Sequence, residues 1–176
     1  MTRFKCDAMD ITSDGDLSVP VVPSPALRVL CVDDNPLVLE ALGLKLSLLT
    51  GFHWLTPLSS ADELVAEVRR QMPDVVLLDI DMPGRDPLEA LAELTLNEPL
   101  TRVLMFSGLS RGDLVERAID AGAWGFLSKH ADLEAIVSAI HLVASGQFFL
   151  SEEYGDIAPQ RLRRHQHGGV DPSAPR

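Results

Sequence analysis

Cysteine is nearly absent from this 176-residue chain: Cys6 and Cys31 are the only two. Two thiols cannot build a disulfide framework, and a reducing cytoplasm is the compartment they suit. No charge-free apolar run approaches the ~18–20 residues of a membrane span, so no integral membrane protein and no membrane partner is expected. The opening residues, Met1-Thr2-Arg3-Phe4-Lys5-Cys6-Asp7, turn acidic before any apolar stretch begins, which does not fit a secretory signal. No glycine-rich phosphate loop follows any apolar run, which argues against a nucleotide-binding fold. Positive charge is scarce as well. Fifteen Lys and Arg stand against 26 Asp and Glu, a net charge of −11 that repels phosphate backbones and argues against nucleic acid as a partner of the main body.

What is present is 46% apolar residues with 23% charged, enough for one globular domain and some spare chain. Residues 1–26 lack apolar periodicity and carry Pro20, Pro23 and Pro25 among Ser, Asp and Gly, the pattern of a mobile extension. Residues 27–150 hold most of the acidity and form the expected domain. Residues 151–176 balance their charges and read as a tail, disordered or partly helical. Arg161, Arg163 and Arg164 could share one basic helical turn there, and His165-Gln166-His167 reads as solvated rather than metal-binding.

Inside the body the pattern alternates. Arg28–Val32 is a short apolar run ending in Asp33-Asp34, suited to a buried parallel strand. Asn35 is a good N-cap with Pro36 at the first helical position, and helical spacing runs on until Gly51. Four more units follow. Their strands are expected at 52–58, at 75–78 ending in Asp79, at 102–106 and at 125–128; Pro57 points to an edge-near position for the first of them. Their helices are expected over 60–71, 88–96, 113–121 and 133–144. Five strand–helix units imply an α/β doubly wound parallel sheet, in the flavodoxin-like order 2-1-3-4-5, with helices on both faces.

In such a sheet, function gathers in the crevice at the carboxyl ends of the strands. The run endings deliver Asp33, Asp34, Asp79, Ser107 and Lys129 to that edge. One strand-end Asp would mean only a cap. Three acids with a hydroxyl and an ammonium mean a site. Clustered carboxylates without His or Cys select a hard divalent cation, usually Mg2+. A carboxylate beside it can act as a nucleophile toward phosphorus, giving an aspartyl phosphate.

The stretches Val29–Pro36, Leu77-Leu78-Asp79-Ile80-Asp81-Met82-Pro83-Gly84, Phe106-Ser107-Gly108 and Gly122–Lys129 together resemble the receiver domain of two-component response regulators. The resemblance covers roughly residues 27–150 and implies the following roles. Asp79 is the phosphoacceptor. Asp33 and Asp34 form the metal-binding acidic pair, and the carbonyl of Asp81 completes the Mg2+ site with Asp79. Ser107 and Lys129 bind phosphoryl oxygens, and Phe126 takes the aromatic switch position beside Ser107. A sensor histidine kinase or phosphotransfer protein is then the donor. The output is contact with another protein, or a phosphorylation-dependent homodimer, in a signalling domain that is not an enzyme beyond self-phosphorylation and self-dephosphorylation.

Some residues depart from that pattern. His130 stands where the family often has a proline after the lysine, Pro87 where many receivers have glycine, and Asp81 adds an acid two residues past the acceptor. Gly146–Ser151 resembles the segment closing the receiver of nitrate-regulator-type proteins, but no helix-turn-helix pattern fits in the 25 residues that follow. Alternatives are a diverged, unphosphorylated interaction module and a DNA-binding regulator lacking its output domain. Asp79-Ile80-Asp81 also resembles the DxD of haloacid-dehalogenase-type phosphatases, but Pro83 stands where that family expects Thr or Val.

Overall fold

The structure is a computed structural model that describes residues 25–108 and 112–154. The proposed N-terminal extension up to residue 24, the tail from residue 155, and the arginine and histidine clusters within that tail lie outside the described residues.

Four strands of the sheet are apolar on both faces, and that fixes the architecture. β1 (Leu27–Val32), β3 (Val75–Asp79), β4 (Arg102–Ser107) and β5 (Gly125–Ser128) are buried along nearly their whole length. Strands that hide both faces need helices above and below. The side-chain period of two divides the core accordingly. Val29, Cys31, Val75, Leu77, Leu104, Phe106 and Leu127 face α1 (Pro36–Ser47) and α5 (Leu133–Ala144). Leu30, Val32, Val76, Leu78, Val103, Met105 and Phe126 face α2 (Leu64–Gln71), α3 (Pro87–Asn97) and α4 (Gly112–Asp120). With β2 (Phe52–Trp54) and β6 (Phe149–Leu150) added, all strand pairs are parallel, in the order β2-β1-β3-β4-β5-β6. This is the expected 2-1-3-4-5 sheet with a short sixth strand, β6 (Phe149–Leu150), added beside β5.

The helices start where their caps dictate. Asn35 accepts the Leu37 amide at 3.0 Å, Asp86 the Leu88 amide at 2.8 Å and Asp132 the Ala135 amide at 2.8 Å. Each satisfies a backbone donor that the first helical turn leaves open. Pro36 and Pro87 follow their caps as first helical residues and need no such partner.

Three elements are shorter than expected. α1 stops at Ser47, with Leu48 at its C-cap, before Gly51 is reached. α2 begins at Leu64 rather than Ser60, because Ser60 and Asp62 hydrogen-bond locally: Ser60 Oγ donates to Asp62 at 2.7 Å and accepts the Asp62 amide at 3.0 Å. Such side-chain bonds compete with the helical ladder. β2 (Phe52–Trp54) stops well before Leu58. Pro57 has no amide to give, and the Thr56 backbone turns to the Gln71 side-chain amide, which it meets twice at 3.0 Å. The chain rejoins β1 only at Leu58, opposite Val32. β2 is nonetheless an edge strand, as Pro57 suggests.

The boundary at 150 is too early for the folded body. The segment Glu152–Tyr154 forms a 3-10 turn, and Tyr154 is fully buried in the core on the α2–α4 side.

Candidate functional site

Register brings the site together. Val32 pairs with Leu78, so Asp33 lies level with Asp79 at the carboxyl ends of β1 and β3. Asp79 pairs with Phe106, and Ser107 with Ser128, which sets Ser107 and Lys129 one step further along the same edge. Asp33, Asp79 and Ser107 are buried, while Asp34 and Asp81 are exposed. One carboxylate oxygen from each of Asp33, Asp34 and Asp79 lies within 4.8 Å of the others.

Lys129 enters this cluster from the β5 end. Its ammonium stands 2.7 Å from Asp33 Oδ2 and 2.7 Å from Asp79 Oδ2. The contact to Asp79 has the direction of a hydrogen bond, whereas Asp33 Oδ2 remains a buried acceptor without one. The other oxygens are held by backbone: Asn35 N–H donates to Asp33 Oδ1 at 2.9 Å, and Asp81 N–H donates to Asp79 Oδ1 at 3.2 Å. Among the described residues no peptide bond is cis, so the Lys129–His130 bond is trans, and the ammonium still reaches both acids. His130 itself is exposed, its amide tied to Ser128 Oγ at 3.1 Å.

The electrostatics follow from burial. Loss of solvent raises the Asp33 carboxyl above its ordinary range, although Lys129 and the Asn35 amide pull the other way. Burial alone would lower Lys129, but Asp33 and Asp79 outweigh it and hold the ammonium above its ordinary value. One ammonium therefore faces three acids. Asp33, Asp34 and Asp79 thus offer an all-oxygen donor set with more negative charge than one ammonium offsets, which fits a hard divalent cation such as Mg2+.

Behind the acids sits a second layer. The carbonyl of Ser107 accepts the Lys129 amide at 2.8 Å. Phe126, at the expected switch position, is fully buried and points to the α2–α4 side. Its ring meets Tyr154 nearly edge-on, at 4.8 Å between centroids and 66°. Sequence reasoning missed Tyr154. Its only signal is that it is the single tyrosine, a few residues past Phe148-Phe149, with no periodicity to place it. Cys31 is buried within β1 as a free thiol, and Trp54 and Trp124 pack at the edges of the α1–α5 core.

Comparison with known proteins gives this edge a family. The model of the response regulator receiver domain matches residues 29–141. The chain is 35% identical over 127 residues to a protein named response regulator GacA from Pseudomonas viridiflava, covering 72% of this chain and 59% of that protein. It is 36% identical over 156 residues to the transcriptional regulatory protein MctR of Rhizobium johnstonii, covering 86% of this chain and 70% of that one. The chain thus spans about three fifths of the length of several curated relatives. Among solved structures, the receiver domain of the putative response regulator NarL from Mycobacterium tuberculosis aligns with a TM-score of 0.66 at 32% identity, over 70% of this chain and 99% of that one. A LuxR-family response regulator from Aurantimonas sp. SI85-9A1 aligns with a TM-score of 0.70 at 26% identity, over 74% of this chain and 94% of that one.

Proposed function

The chain belongs to the receiver-domain family of two-component response regulators, whose members are signalling domains rather than turnover enzymes, and on that footing we propose that Asp79 is its phosphoacceptor. The observation that carries the reading is the hold on the Asp79 carboxylate. Lys129 sits on one oxygen and the Asp81 amide on the other, with two further acids within reach of a shared cation.

In the proposed step an Asp79 carboxylate oxygen attacks phosphorus. The bond from phosphorus to the donor's leaving group breaks, and its electron pair departs with that group: acetate from acetyl phosphate, imidazole from a phosphohistidine. Asp33, Asp34, Asp79 and the Asp81 carbonyl would hold Mg2+, which would supply positive charge against the transferring phosphoryl oxygens. Lys129 shifts from carboxylate to phosphoryl oxygen, and the Ser107 hydroxyl donates to another. Phe126 then responds to the displaced Ser107, and the domain changes its contacts. The donor is a sensor histidine kinase or phosphotransfer protein, and the readout is protein association, including association of two copies of the chain.

Intact-mass measurement after incubation with acetyl phosphate and Mg2+ tests the reading. A gain of one phosphoryl group, absent from Asp79→Asn, is expected. No gain from acetyl phosphate, phosphoramidate or a phosphorylated histidine donor overturns it and favours the unphosphorylated interaction module.

A further inference from the structure

Tyr154 is the chain's single tyrosine and, among the described residues, the bulkiest fully buried side chain, yet it sits on a three-residue turn after a two-residue strand. Segments that short, beyond the last helix of a domain, ordinarily fray. This one is fastened to β5 at successive points. Phe149 N–H donates to the Trp124 carbonyl at 3.1 Å, and Ser151 N–H to the Phe126 carbonyl at 3.0 Å. Ser151 Oγ then accepts the Ser128 amide at 3.1 Å, and Tyr154 N–H closes the turn on the Ser151 carbonyl at 2.9 Å.

The tyrosine hydroxyl ends this chain of contacts on the site itself. It donates to the Ser107 carbonyl at 3.3 Å, the same oxygen that accepts the Lys129 amide at 2.8 Å. A carbonyl carries two lone pairs and can serve both donors. The ends of β4 and β5, bearing the Ser107 hydroxyl and the Lys129 ammonium, thus meet at one buried acceptor with Tyr154 behind it. Phe126 is packed against the same ring. In a close-packed core, neither ring can turn without the other giving way.

We propose that Tyr154 is a positioning residue: through the Ser107 carbonyl it fixes the Ser107–Lys129 arm of the site, and through the same contact it couples that arm to the segment Phe149–Tyr154. The coupling half rests on the reading of Asp79 as phosphoacceptor. Its logic is reciprocal. If drawing Ser107 toward a phosphoryl group disturbs the Tyr154 contact, the segment loosens on phosphorylation, and loosening the segment alters phosphorylation in turn. The chain that follows residue 154 would feel the state of Asp79 without touching it.

Tyr154→Phe keeps the ring against Phe126 and removes only the hydroxyl, so it tests the contact in a folded full-length chain. Leu46→Val, in the core on the opposite face of the sheet, serves as a control for general loss of stability. In unphosphorylated protein, hydrogen exchange across 125–131 should quicken several-fold in Tyr154→Phe while the melting temperature falls by no more than ~4 °C. With acetyl phosphate and Mg2+, the rate of Asp79 phosphorylation should fall roughly threefold or more in Tyr154→Phe and hold in Leu46→Val. Phosphorylated wild type should also exchange faster over 149–154. Wild-type exchange at 125–131 in Tyr154→Phe, or equal slowing in Leu46→Val, overturns the positioning role. Phosphorylation that leaves 149–154 unchanged overturns the coupling alone. If wild type accepts no phosphoryl group, the Asp79 reading fails together with the coupling, and the exchange at 125–131 still decides the positioning.

Discussion

Lys129 Nζ lies 2.7 Å from an oxygen of Asp33 and 2.7 Å from an oxygen of Asp79, so one ammonium compensates two buried carboxylates. Removing one partner of a buried ion pair leaves an uncompensated charge, which costs about 3–5 kcal/mol when burial is complete. Lys129 keeps 20% of its side chain exposed, so the lower end of that range applies. Lys129→Ala should lose about 3 kcal/mol in urea melts without metal, and millimolar Mg2+ should restore part of it by supplying the missing positive charge. The same pairing sets a pH limit. Lys129 is held above its ordinary value of 10.5, so its contribution is complete below that value and disappears as pH rises through the higher folded one. Melts between pH 9 and 12, compared between wild type and Lys129→Ala, should converge at the alkaline end.

Asp34 is the exposed member of the acidic cluster, and the cap of the following helix is Asn35, not Asp34. Solvent screens its repulsion with Asp33 and Asp79, so Asp34→Asn should stabilise the metal-free protein by no more than ~1 kcal/mol. It should also remove most of the rise in melting temperature that Mg2+ produces in wild type. A loss of stability on substitution, with the Mg2+ response intact, would show that Asp34 takes no part in metal binding.

Gly125 lets β6 approach. A Cβ there would meet the Phe149 carbonyl oxygen at 2.4 Å and a Leu104 methyl at 2.9 Å. Backbone cannot yield as a side-chain tip can, so Gly125→Ala should cost about 1–3 kcal/mol and push β6 off β5. Quicker amide exchange over 149–154, with α1 and β1 unchanged, would register the displacement.

Cys31 is fully buried within β1, and loss of solvent, with Asp33 nearby, pushes its thiol upward. Iodoacetamide at pH 8 should therefore leave Cys31 unmodified in native protein and label it in urea. Peptide mapping of the 27–32 strand reads the outcome directly. Native labelling within minutes would mean that β1 opens far more readily than its burial implies.

Much of this was legible in the residues because local rules and tertiary structure agree. Apart from Arg28 and Arg102 at their starts and Ser128 at the end of the last, the runs 28–32, 75–78, 102–106 and 125–128 carry no polar side chain, and only a strand buried on both faces tolerates that. Asn35-Pro36 and Asp132 announce their helices by the donors they satisfy. The acids, the hydroxyl and the lysine of the site are legible because each directly ends or follows such a run. The misses arose where local bonds competed. Ser60 and Asp62 bond to each other and delay α2, and Gln71 takes the Thr56 backbone from β2.

By itself, then, the sequence determined the alternation of elements, the order of the first five strands and which residues reach the carboxyl edge of the sheet, because period, caps and strand endings are properties of neighbours along the chain. Only the tertiary structure decided how those residues meet. Register set Asp33 level with Asp79, and the fold of the β5 end let one lysine serve both. It also drew Tyr154 across 47 positions to the Ser107 carbonyl, through a two-residue strand too short for any sequence period to show. Contacts at such separation depend on which surfaces the helices leave uncovered, and that is known only once the sheet and its helices have packed.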